Sequence, residues 1–122
     1  METQYQRLTA YCQHEAGDSL LSVFSYSESD AQLHYAREDM ETEFLEGGLE
    51  QFQQAVWAIH MNVLEEAPKV EVFGDYRATV HTFDTAFCIQ FRVEEDEGVV
   101  VTFDRNIGRN LHQFLLECER YL

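Results

Sequence analysis

Two pairs of residues in the sequence could do chemistry, and both depend on one turn. Asp84-Thr85 separates the alternating runs YRATVHTF and AFCIQFRV, and two residues between such runs mark a tight β-hairpin. With Phe83 opposite Ala86, the register sets His81 beside Cys88, Thr79 beside Gln90 and Arg77 beside Arg92 on one face. The other face is apolar, with Ala78 opposite Phe91, Val80 opposite Ile89 and Thr82 opposite Phe87. A His beside a Cys can form a thiolate–imidazolium nucleophile or half of a metal site. No third ligand or orienting partner accompanies His81 and Cys88, and the spacing favours a half-buried polar strand face beneath a helix. Arg77 opposite Arg92 is more pointed, because like charges opposed across a ladder destabilise it unless an anion lies between them. Glu71, Glu94 and Glu95 are close enough in sequence to supply a neutralising carboxylate, which is the expected arrangement. The alternative is a small anionic ligand held by Arg77, Arg92, Thr79, Gln90 and His81.

The elements that would position these residues follow from periodicity. Tyr5, Leu8, Cys12 and Ala16 share one face of a helix over 2–16, with Gly17 as its C-cap. LLSVFSY (20–26) and AQLHYAR (31–37) are strands around the turn SESD. Asp39 is placed to cap a short helical turn that stops at Gly47-Gly48, and 49–67 is the strongest helical pattern, closed by Pro68. EEDEG is a turn and VVVTF (99–103) the last strand. In the closing FDRNIGRNLHQFLLECERYL, Ile107, Leu111, Phe114, Leu115, Cys118 and Leu122 fall on one helical arc, with Asp104 or Asn106 as cap. A phosphate cradle would want several glycines and a Lys, whereas this turn offers Gly108 and Arg109. The predicted order is helix, two strands, helix, three strands, helix. That is a single α+β domain over 1–122, with a five-stranded antiparallel sheet completed by one non-local pairing.

The long helix carries more apolar surface than one sheet can cover. Leu49, Phe52, Val56, Ile59, His60 and Val63 make its core stripe, in which His60 reads as a satisfied core residue. Trp57, Met61 and Leu64 widen the arc to roughly 200°, against the roughly 100° that one packed face needs. Such a helix is expected to touch its own sheet and a second subunit, the alternative being deep burial within the monomer. Leu116 points away from the stripe of the last helix and is a candidate edge of the same or another partner surface.

Composition limits the partners. There are 23 acidic residues against 8 basic, and Lys69 is the single lysine, so the net charge of -15 repels nucleic acid and anionic membranes. The acids are spread from Glu2 to Glu119, which fits a surface tuned to molar salt better than a docking tail. Three cysteines fit neither a disulfide framework nor a zinc ribbon, and Cys12 and Cys118 sit on apolar helix faces. The opening residues lack the apolar core of a signal peptide, and no apolar run approaches the ~18 residues of a membrane span. A cytoplasmic protein without cofactor is expected. No P-loop, dinucleotide-binding glycine motif, zinc-protease helix or nucleophile elbow is present, so an enzyme is not expected.

The order of elements, with the ending FDRNIGRNLHQF, resembles the roadblock/LC7 domain, a profilin-like fold. LHYAREDM, VFGDYRATVHTF and GRNLHQFLLECE resemble pieces of a family of small acidic haloarchaeal proteins of unknown function. The first resemblance implies a non-catalytic protein that dimerises through its central helix and neighbouring strand. It also implies a scaffolding or regulatory role with small GTPases and polarity or motility systems. Trp57, Met61 and Leu64 would then lie on the dimerising helix. The strong acidity and the Arg77/Arg92 pair depart from that family. Salt dependence is a direct test of the composition. Circular dichroism should show structure lost as KCl falls from about 3 M to about 0.1 M, where the Debye length grows from under 3 Å to ~10 Å. Full structure at the lower salt would contradict the halophilic reading.

Overall fold

The computed structural model describes residues 3–66, 71–104 and 111–122. Helix α1 (Gln4–Ala16) opens with a reciprocal capping box. Gln6 N donates to Thr3 Oγ1 at 3.1 Å and Thr3 N donates to Gln6 Oε1 at 2.7 Å, which satisfies two donors the helix leaves orphaned. It closes on Gly17 at φ 55, a conformation that other residues adopt at a cost. Strands β1 (Leu20–Tyr26) and β2 (Ala31–Ala36) form a hairpin with a bulge between Val23 and Phe24. Helix α2 (Glu38–Glu43) bends into α3 (Leu49–Glu66), and a helical turn at Glu71–Phe73 precedes β3 (Ala78–Thr82). Strands β4 (Ala86–Glu94) and β5 (Glu97–Asp104) lead to α4 (Leu111–Glu119).

The sheet order is β2-β1-β5-β4-β3, every pair antiparallel. The expected non-local pairing is β1 with β5, in which Tyr26 lies opposite Gly98 and Val23 opposite Val101. Both faces of this sheet are covered. On one, α1 and α4 pack Leu8, Cys12 and Cys118 against Leu20, Val23, Ile89, Phe91, Val101 and Phe103. On the other, α3 brings Val56, Phe52 and Trp57 onto Phe24, Tyr26, Cys88 and Val100. Coverage of two faces explains why β1 is buried at every position instead of alternating. Each large side chain so enclosed contributes about 1.5–3 kcal/mol of transfer free energy.

Several expected boundaries change. Asp39 does not cap α2. Arg37 occupies that position, and the Asp39 carboxylate instead accepts from Arg37 Nε at 2.7 Å and Nη2 at 2.8 Å. The stop expected at Gly47-Gly48 holds: Glu46 and Gly47 leave helical geometry, Gly47 at φ 105, and α3 starts afresh at Leu49. The EEDEG turn shrinks to Glu95 and Asp96, since Glu94 pairs with Glu97 and β5 starts there instead of at Val99. Pro68 and residues 105–110, with Asn106, Ile107, Gly108 and Arg109, lie outside the described residues, and Asp104 ends β5.

Gly98 is the position with least freedom. A Cβ there would overlap the Tyr26 hydroxyl and press on the Phe91 carbonyl, because the Tyr26 ring lies across the strand where Gly98 has no side chain. Gly98→Ala must displace that ring, so a loss of about 2 kcal/mol is expected in denaturant unfolding, with secondary structure retained. A change under about 0.5 kcal/mol would show that the close approach carries no weight.

Candidate functional site

The β3–β4 hairpin has the register that its turn dictates: Thr79 opposite Gln90, His81 opposite Cys88, Ala78 opposite Phe91, and Phe83 N donating to Ala86 O at 2.7 Å. The ladder begins at Ala78, so the Arg77–Arg92 cross-strand pair does not form. The two guanidinium groups have different surroundings. Arg77 Nη1 meets Glu119 Oε2 of α4 at 3.1 Å. Its carboxylate therefore comes from the far end of the chain, not from Glu94 or Glu95; the Glu71 side chain lies outside the described ones. At 75 % exposure of Arg77 this pair is a weak tie. Arg92 acts instead on the hydroxyls of Tyr26 and Tyr76, where its charge favours the ionised form but burial outweighs it and raises both.

The remaining polar residues of this face bond to the protein itself. Gln90 is buried, and its amide Nε2 donates to Tyr26 Oη and to Val56 O, both at 2.8 Å. Tyr26 Oη in turn meets His60 Nδ1 at 2.8 Å, and His60 Nε2 meets Glu95 O at 2.9 Å. A carbonyl can only accept, so His60 carries its hydrogen on Nε2 and accepts from Tyr26 at Nδ1. His81 Nε2 lies 2.9 Å from Gln90 Oε1, and Thr79 Oγ1 is hydrogen-bonded to the Tyr76 hydroxyl. The expected anion-binding group is thus dispersed: Gln90, His81 and Thr79 face protein partners, and Arg77 leaves them for α4. What the residues build is a run of hydrogen bonds from β4 through β1 to α3 and on to the β4–β5 turn.

His81 and Cys88 are neighbours, as the register requires, but they do not make a nucleophile. Cys88 is fully enclosed under α3. Burial pushes its thiol up to about 12, and the hydrogen bond from the His81 backbone offsets only part of that. A thiol so placed is neutral at physiological pH, whereas the thiolate is the reactive species.

The side chains expected to face a partner divide. Trp57 is half-buried, its ring stacked on His60 at 5.0 Å and edge-on to Tyr26 at 6.5 Å, so much of it serves the core. Leu64 is half-buried, Met61 is 38 % exposed and Leu116 45 % exposed. Sequence patterning overlooked three strongly exposed apolar groups, Leu45 at 86 % before α3, and Val72 at 82 % and Phe73 at 88 %. The latter two matter most here. They precede β3, the edge strand, on which Val80 is exposed, and Phe83 is exposed just beyond it. Val-Phe in a loop before Gly74-Asp75 was the available signal, because large apolar residues seldom occupy such turns without a partner. Patterning also missed Gln53, buried on α3, whose Nε2 donates to Ser27 O at 2.7 Å and Glu28 O at 2.8 Å.

Among the described residues no helix is long and apolar enough to cross a membrane. The sequence pattern of a family described as a domain of unknown function (DUF7522) matches residues 6–122. No curated protein matches the chain. Solved structures do. A roadblock/LC7 domain from Streptomyces avermitilis is 11% identical, with 95% of each chain covered and a TM-score of 0.58. The gliding protein MglB from Thermus thermophilus is 13% identical, with 99% of this chain and 87% of that one covered and a TM-score of 0.59. An MglB with a tetrameric arrangement is 13% identical, covers 99% of this chain and 86% of that one, and has a TM-score of 0.60. The fold is that of the roadblock/LC7 domain. Nothing in it calls for a reactive Cys88. A thiol reagent at about pH 8, below the raised value of the thiol, should leave Cys88 unlabelled in the folded protein and label it once denaturant is added. Rapid labelling of Cys88 in the folded state would restore the nucleophile reading.

Proposed function

This chain belongs to the family described as a domain of unknown function (DUF7522), and from that membership and its roadblock/LC7 fold we propose that it is a non-catalytic homodimeric adaptor. It regulates a protein partner, with a small GTPase of a polarity or motility system as the partner class. The cytoplasm of a halophile is its setting. The observation that carries this reading is the exposed apolar side chains of Met61 on α3 and of Val72, Phe73, Val80 and Phe83 on or beside β3, the edge strand among the described residues. An edge strand presents unpaired N–H and C=O groups, which a second copy can complete while the apolar side chains meet across the joint. MglB, which shares the fold, is described as a gliding protein and also in a tetrameric arrangement, and both descriptions support an assembling regulator.

Charge and assembly are linked. Two chains of charge -15 repel each other at low ionic strength, whereas at molar salt the Debye length is about 3 Å and the apolar contact dominates. Association should therefore strengthen with salt, the reverse of an interface built on opposite charges. Met61 and Val80 are better probes than Trp57, because a charge at Trp57 would also disturb its stack on His60. In about 3 M KCl, light scattering should give the wild type twice the mass of one chain. The double variant Met61→Glu/Val80→Glu should give one chain mass with an unchanged circular-dichroism spectrum, an affinity loss of about 100-fold or more. A wild type that stays monomeric at about 100 µM, an affinity weaker than ~5.5 kcal/mol, ends the proposal.

A further inference from the structure

Two thiols remain that neither the fold nor the proposed assembly uses for chemistry. Cys12 of α1 and Cys118 of α4 are both fully buried in the layer between these helices and the sheet. Both belong to one core cluster, and the Cys12 thiol is the first cause that raises the Cys118 thiol. Ring contacts hold the two segments in that register: Tyr11, next to Cys12, stacks on Phe114 at 6.0 Å and tilts against Tyr121 at 5.2 Å, on either side of Cys118. Cys88 cannot join them, because it lies on the opposite face of the sheet beneath α3.

We propose that Cys12 and Cys118 are a covalent modification site, a dithiol that a small disulfide oxidant converts to an intramolecular disulfide stapling α4 to α1. One thiol, as thiolate, attacks a sulfur of the oxidant RSSR and forms a mixed disulfide, releasing one RSH. The second attacks the protein sulfur of that mixed disulfide, forms the Cys12–Cys118 bond and releases the second RSH. The protein loses two hydrogens, and the two electrons pass to the oxidant.

Access sets the rate. In the closed state both sulfurs are shielded, and Cys118 is held strongly protonated, first by the Cys12 thiol, then by burial and the carboxylates of Glu117 and Glu119. Attack must wait until α4 lifts. The Arg77–Glu119 pair that ties it to the hairpin is a weak tie, with Arg77 exposed, so the packing of α4 on the core sets how often it opens. Once formed, the bond closes a loop of roughly 100 residues and removes that opening.

The test uses the full-length protein incubated with oxidised glutathione under conditions where it is folded. The expected result is a mass lower by two hydrogens, a Cys12–Cys118 cross-linked peptide in a non-reduced digest, and a Tm higher by about 5 °C or more. Cys88→Ser should keep all three changes, and Cys118→Ala should lose them. The primary measurement is on the wild type, so it stands even if the core variant folds poorly. No cross-link after prolonged incubation, a cross-link through Cys88, or a lowered Tm would overturn the proposal.

Discussion

A chain of hydrogen bonds inside the molecule decides where the long helix sits. Gln90 on β4 donates to Tyr26 on β1 and to the backbone of α3 at Val56; Tyr26 meets His60 of α3, and His60 reaches the Glu95 carbonyl in the β4–β5 turn. Each bond contributes only about 1 kcal/mol net, but leaving one of these buried groups unpaired costs about 1–3 kcal/mol. A helix slipped by one turn would orphan several at once, so the network sets register where apolar contacts alone would tolerate sliding. Gly98 is bound to the same arrangement, since only a residue without Cβ leaves room for the Tyr26 ring. Once α3 is fixed, its outward side chains are fixed too, and Met61 is exposed because Val56 and His60 face in.

The hairpin register was legible because a two-residue turn and strict alternation admit one pairing, and a one-residue slip would have mixed apolar and polar faces. The α+β order and the single non-local strand pairing followed from turn lengths. What stayed hidden had non-local causes. Nothing near Arg77 in sequence points to Glu119, and the contact exists only because α4 returns beside the hairpin. Trp57 sits on the wide outer arc by angle alone, but its ring is long enough to turn back onto His60 and Tyr26. His60 within the core stripe and Gln90 in the middle of a strand were the readable hints of the internal network, because buried polar groups demand partners that another element must supply.

The candidate chemistry of the sequence thus becomes architecture. His81, Gln90 and Thr79 spend their polar groups holding the sheet and its helix, and Cys88 is sealed beneath Val56 and its neighbours. Among the described residues the surface carries two unlike features: many carboxylates, and exposed apolar groups of which Met61, Val72, Phe73, Val80 and Phe83 lie on α3 or on and beside β3. High salt reconciles them, because it screens the first and strengthens burial of the second.

Hydrogen–deuterium exchange as a function of protein concentration tests this most directly. At about 3 M KCl, amides of β3 should be protected at about 100 µM and lose that protection at about 0.1 µM, while amides of the opposite edge strand β2 exchange alike at both, as a micromolar dimer through β3 requires. Exchange of β3 that does not depend on concentration would contradict the account.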